Sequence, residues 1–101
     1  MDVLAVLADP TRRRVVEILA DGGEQTASQI AARFAQSRPA MSHHLRLLRE
    51  AGLVSVRAEG TRRVYALQPL RLLELESWLS QRLDALDTEL RRGRREQRDP
   101  P

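Results

Sequence analysis

Residues 37–65 read SRPAMSHHLRLLREAGLVSVRAEGTRRVY. Met41, Leu45 and Leu48 recur at i, i+4 and i+7, so they share one face of a helix. The opposite face carries Arg38, Pro39, Ser42, His43, Arg46, Arg49 and Glu50. Ser37 suits the N-cap, Pro39 the first turn, and Gly52 the left-handed stop, which predicts a helix over about 38–51. Residues 53–58 then alternate as a strand, Glu59-Gly60 supplies a turn, and 62–67 return as a second strand. Arg57, Arg62 and Arg63 flank that turn. A short helix with one polar, basic face fits the DNA major groove, and a hairpin wing over about 53–67 can hold flanking phosphates.

Toward the N-terminus, residues 2–8 (DVLAVLA) predict a short apolar helix. Asp9-Pro10 caps and opens a second helix over about 10–20, with Val15, Val16, Ile18 and Leu19 inward. Asp21-Gly22-Gly23 ends it. Thr26 and Gln29 match a capping box for a helix over 27–35 that buries Ile30, Ala31 and Phe34. Gln36-Ser37 is then the turn of a helix-turn-helix.

Toward the C-terminus, Pro69 opens a helix over about 69–92. Leu72, Leu75, Leu79, Leu83, Leu86 and Leu90 form a stripe of helical period along it. At 1.5 Å per residue it is roughly 35 Å long. Leu72, Leu73 and Trp78 are expected to pack back on their own domain. Leu79, Leu83, Leu86 and Leu90 lie beyond its reach. Burying one leucine is worth about 1.5–3 kcal/mol, so four left wet forfeit several. A C2 homodimer covering them, completed by Val3, Leu4, Val6 and Leu7, is expected to set two reading helices about 34 Å apart on a pseudo-palindrome. Residues 93–101 hold no apolar side chain and read as a disordered basic tail.

The 101 residues suit one domain, taken as 1–92, mainly α with a small β-hairpin. Only Phe34, Tyr65 and Trp78 are aromatic, so Leu, Val, Ile and Ala build the core, with Tyr65 and Leu67 facing it. There is no cysteine, which excludes disulfides, thiolate metal sites and cysteine nucleophiles. No run of about 18 apolar residues predicts a membrane span, and the start lacks signal-peptide character, so a cytoplasmic protein is expected. Every one of the 17 basic residues is arginine, a planar fork able to grip phosphate or guanine with two hydrogen bonds. Residues 1–68 hold ten arginines against seven carboxylates, and 69–101 hold seven against seven.

Recognition helices use their N-terminal residues on base edges. Ser42 and His43 are therefore the base-reading candidates, with Arg46 next. Ser37, Arg38, Pro39 and Arg49 are placed at phosphates, and Arg57, Arg62 and Arg63 on the wing. His44 is expected half-packed. Adjacent histidines on a helix point about 100° apart and do not chelate one metal. No nucleophile-base pair or glycine-rich phosphate loop points to an enzyme.

LADPTRRRVVEILADG, then SRPAMSHHLRLLREAGLV, then EGTRRVYAL together resemble the ArsR family of winged helix-turn-helix transcription regulators, over about residues 3–79. The resemblance implies an α-rich winged helix dimerised by its first and last helices, binding an operator palindrome and usually repressing. Metal-sensing members carry cysteines near the helix before the turn, or Asp/His/Glu sets on the last helix. Here QIAARFAQ has no thiol and the last helix has no histidine, only Glu74, Glu76, Asp84, Asp87 and Glu89. The chain resembles the subgroup without metal-site motifs, with no metal and no cofactor expected. The partners expected are double-stranded DNA, a second copy of the chain, and a small-molecule effector whose identity stays open. A winged-helix module that pairs with protein instead of DNA is the alternative.

Overall fold

The computed structural model describes residues 2–98. The elements are α1 (Val3–Leu7), α2 (Pro10–Gly22), β1 (Gln25–Thr26), α3 (Ala27–Ala31), α4 (Arg38–Glu50), β2 (Val54–Glu59), β3 (Arg62–Leu67) and α5 (Pro69–Arg98). This is the expected mainly helical winged helix-turn-helix with a long last helix.

Local chemistry sets the helix ends. Asp9 accepts from the backbone N–H of Thr11 at 2.8 Å and of Arg12 at 3.2 Å, with Pro10 at the first helical position. Thr26 and Gln29 close the capping box, the Thr26 N–H donating to Gln29 Oε1 at 2.9 Å and the Gln29 N–H to Thr26 Oγ1 at 3.1 Å. Ser37 Oγ accepts from the Ala40 N–H at 3.2 Å. Helix α4 ends in a Schellman motif: Leu53 N–H donates to Leu48 O, Gly52 N–H to Arg49 O, and Gly52 sits at φ +75°. That stop turns the chain directly into β2.

Several details differ from the sequence reading. Helix α3 stops at Ala31 and not at 35. The N–H groups of Arg33 and Phe34 instead bond carbonyls three residues back, a tighter turn that leaves Phe34 half-buried against the core. The hairpin turn lies one residue on. Glu59 pairs with Arg62, so Gly60-Thr61 form the loop, with Gly60 at φ +63°. Glycine at the first central position suits a type II′ turn, whose twist matches the strands. A third strand also exists: β1 pairs antiparallel with β3 (Gln25↔Tyr65, Thr26↔Val64), giving the order β1-β3-β2.

The core joins α1, α2, α3, α4 and the sheet. Val15, Ile30, Leu48 and Leu53 are fully buried, and Val6, Leu19, Met41, Leu45, Val54 and Tyr65 complete it. Val6 therefore belongs to the core and not to an outer surface. Val3, Leu7 and Leu67 pack against it half-buried, while Leu4 stays exposed.

Helix α5 leaves this body. The molecule measures 73 × 26 × 24 Å, the long dimension following from 30 residues at about 1.5 Å each. Leu72 packs against the core, but Leu73 and Trp78 do not, at 57% and 45% exposed. The expectation that they fold back is corrected: α5 leaves the body, and both side chains stay largely exposed. Nor does the helix stop before Gly93. It runs to Arg98, so 93–98 are not a disordered tail, while 99–101 lie outside the described residues. One glycine costs a helix about 1 kcal/mol, and the arginines, glutamate and glutamine beyond it are good helix formers.

Candidate nucleic-acid interface

Met41, Leu45 and Leu48 anchor α4 on the core. That anchoring turns Arg38, Pro39, Ser42, His43, Arg46, Arg49 and Glu50 to the outside, all exposed. Ser42 and His43 stand in the N-terminal half of the helix, where a groove-bound helix meets base edges. Arg46 Nη2 lies 3.0 Å from His43 Nδ1. A guanidinium only donates, so Nδ1 accepts and the neutral ring carries its proton on Nε2. His43 is thereby presented as an outward donor, matched to a purine N7, a carbonyl or a phosphate. Arg46 also reaches Glu50 at 4.0 Å. Its guanidinium thus lies along the helix surface beside His43. Ser37, Arg38 and Pro39 open the helix, and Arg49 lies in its last turn.

His44 faces the other way and is half-buried. Its Nδ1 lies 3.2 Å from Arg12 Nη1 and its Nε2 3.2 Å from Gln36 Oε1. The two imidazoles are 5.9 Å apart and tilted by 52°, each with its own partners. Among the described residues, no three His, Cys, Asp or Glu side chains stand together as a metal set.

A helix-turn-helix with an exposed polar reading face, a hairpin and a long last helix has clear counterparts. The family model described as "Helix-turn-helix domain" matches residues 7–57. The transcriptional repressor SdpR of Bacillus subtilis is 34% identical over 89 residues, covering 88% of this chain and 98% of that protein. The HTH-type transcriptional regulator Rv2034 of Mycobacterium tuberculosis is 48% identical over 71 residues, 70% of this chain and 65% of that one. The structure of an ArsR-like transcriptional regulator from Rhodococcus sp. RHA1 superposes with a TM-score of 0.76 at 29% identity, covering 92% and 87% of the two chains. The chain belongs to the ArsR family of winged helix-turn-helix transcriptional regulators.

In this ArsR-family chain the three wing arginines are not equivalent. Arg57 pairs with Glu24 at 2.8 Å and Glu59 at 3.1 Å. The hydrogen bonds it donates to Glu24 and then to Glu59 raise its pKa further and hold it charged. Arg62 and Arg63, at the tip, have no carboxylate partner among the described residues. Ser28 is a residue the sequence reading passed over. It lines a cleft with Arg38 and Ser42 on one side and a second cleft with Arg62 and Arg63 on the other. It therefore bridges the reading helix and the wing tip. The available signal was an exposed serine in the first turn of the first helix of the motif.

Where α1, the end of α4 and α5 meet, a cleft of about 470 Å³ opens between Leu4, Gly52, Arg71, Leu75 and Trp78. Its apolar wall continues into Leu79, Leu83, Leu86 and Leu90, each 41–61% exposed. Of the interface candidates, Leu4 and these four leucines are exposed, and Val3 and Leu7 are half-buried against the core.

Proposed function

We propose that two copies of this chain form a C2 dimer that binds a pseudo-palindromic operator and represses transcription from it, including that of its own gene. The observation that carries the reading is the division of α4. Three apolar side chains are buried on one face, and Ser42, His43 and Arg46 are exposed on the other. In this reading Ser42 and His43 meet base edges and Arg46 a guanine or a phosphate. Ser37, Arg38, Pro39 and Arg49 position the helix on the backbone. Arg62 and Arg63 take flanking phosphates, and Arg57 braces the wing that carries them.

Dimerisation is supported by the apolar surface of α5, which the body of the same chain does not cover. Repression is carried over from relatives such as the Bacillus subtilis repressor. A signal other than a transition metal is supported by the donors the chain lacks: a thiol anywhere, and a histidine on α5.

A footprint on the DNA upstream of the protein's own gene, with and without a chelator, tests this. A protected pseudo-palindrome with half-sites about one helical turn apart, unchanged by chelator, is expected. A footprint that depends on chelator, or protection of one half-site alone, overturns the metal-independent dimeric reading.

A further inference from the structure

Four side chains from three parts of the fold close a ring of hydrogen bonds behind the reading helix. Arg12 on α2 donates from Nη1 toward His44 Nδ1 at 3.2 Å, and His44 Nε2 meets Gln36 Oε1 at 3.2 Å. Gln36 Nε2 donates to Thr11 Oγ1 at 2.6 Å, which returns the ring to α2. Arg12 Nε donates in addition to the carbonyl of Val6 at 2.7 Å, in the last turn of α1. Every direction in the ring is dictated. Arginine has no acceptor, so His44 Nδ1 must be bare, its Nε2 must carry the proton, and Gln36 must turn its oxygen to the ring. The ring closes only with a neutral His44.

We propose that His44 and Gln36 are positioning residues for operator binding, and that proton uptake by His44 opens the ring and loosens the reading helix. The inference rests on α4 being the helix that reads DNA. A second proton on His44 would set an N–H and a positive charge against the Arg12 guanidinium. The groups facing the ring are Asp9 and Arg12 from α2, neutral Gln36 and Thr11, the Val6 carbonyl, and His43 from its own helix. Asp9 favours the imidazolium, but it is committed to the Thr11 and Arg12 backbone N–H groups. The Arg12 side chain also reaches α1, so opening the ring frees α4 from the α1–α2 junction, beside the surface formed by Val3, Leu4 and Leu7. His43 is the same in the native chain and in a His44 variant, so its own contribution cancels when the two are compared.

The test compares operator affinity at pH 7.5 and 5.5 for the full chain and for His44→Asn, which keeps an acceptor near Arg12 and cannot take up a proton. The ratio of the two affinities is taken within each protein. Losing one to two hydrogen bonds per subunit predicts an acid-induced loss at least about tenfold larger in the native chain than in His44→Asn. Equal ratios overturn the proposal. A chain that binds no upstream DNA at pH 7.5 fails the reading of α4 instead. In either case the imidazole nitrogen resonances of the free native protein at pH 7.5 decide the ring. A bare Nδ1 and protonated Nε2 on His44 are expected, and the opposite tautomer or a charged ring overturns it.

Discussion

Arg57 and Glu24 form an ion pair of 2.8 Å that ties the hairpin to the chain just ahead of β1. Glu59 holds the same guanidinium from the wing itself, at 3.1 Å. An arginine with two carboxylates on it is a brace before it is a phosphate ligand. All three side chains are about half exposed, so the pairs add little to folding. Their effect is to fix where the wing points. Arg57→Ala and Glu24→Gln should each weaken operator binding by about threefold, and the double variant by no more, because both remove one brace. The slope of log K against log[salt] should not change. A slope reduced by about one in Arg57→Ala would make Arg57 a phosphate contact.

Arg62 and Arg63 should behave differently. Neither has a carboxylate to neutralise it among the described residues. Replacing either with Ala should weaken binding equally on operator and scrambled duplexes, and lower the salt slope by about 0.9. Ser42→Ala and His43→Ala should instead compress the gap between operator and scrambled DNA, by about 0.5–1.5 kcal/mol for each single hydrogen bond lost. Anisotropy titrations at several salt concentrations read both quantities. Full discrimination retained by both α4 variants would remove Ser42 and His43 from the reading surface.

Asp9 offers a prediction in stability. Burial works to raise its carboxyl pKa, but hydrogen bonds from the Arg12 and Thr11 backbone, with the charges of His44 (once it holds a second proton) and Arg12, outweigh it. The folded value therefore lies below the ordinary carboxylate value of 3.8. Stability from the ionised cap is fully present above the unfolded pKa and fades as pH falls through the folded one. Asp9→Ala should cost about 1 kcal/mol at neutral pH. Thermal melts should show that cost shrinking from pH 5 toward pH 2, while the gap between Asp9→Asn and Asp9→Ala stays constant. A native-to-Ala gap that does not change with pH would show that the charge contributes nothing beyond the cap.

The features that repeat locally were legible in the sequence. The caps at Asp9, Thr26 and Ser37, the Gly52 stop and the two faces of α4 each follow from residues within one or two turns of one another. What was not legible depends on distance. Gln25 and Thr26 carry no alternating pattern of their own and become a strand only because β3 offers them a free edge. Leu73 and Trp78 look like core residues by type, and only the direction in which α5 leaves the body exposes them. The Arg12–His44 contact spans 32 positions of sequence, so nothing near His44 announces its partner. The base-reading candidates were accessible because a helix face is a local property. The pairing of Arg57 with Glu24 was not, because the two are 33 positions apart and meet only when the wing folds beside the chain ahead of β1.

The last prediction concerns α5. Leu83 and Leu86 are 61% and 55% exposed on the single chain, so neither contributes much to its own fold. Leu48, fully buried in the last turn of α4, is the contrast. Leu48→Ala should lower unfolding free energy by about 2–5 kcal/mol. Leu83→Glu combined with Leu86→Glu should leave helix content intact, because glutamate is a good helix former. If two copies pair along α5, the double variant places four carboxylates in an apolar interface, where each is costly to desolvate. Sedimentation should then find it monomeric where the native chain is dimeric. Operator binding at nanomolar protein should vanish, since one reading helix alone grips one half-site. A double variant that still sediments as a dimer would place the interface elsewhere, with α1 and the cleft beside Trp78 the next surface to test.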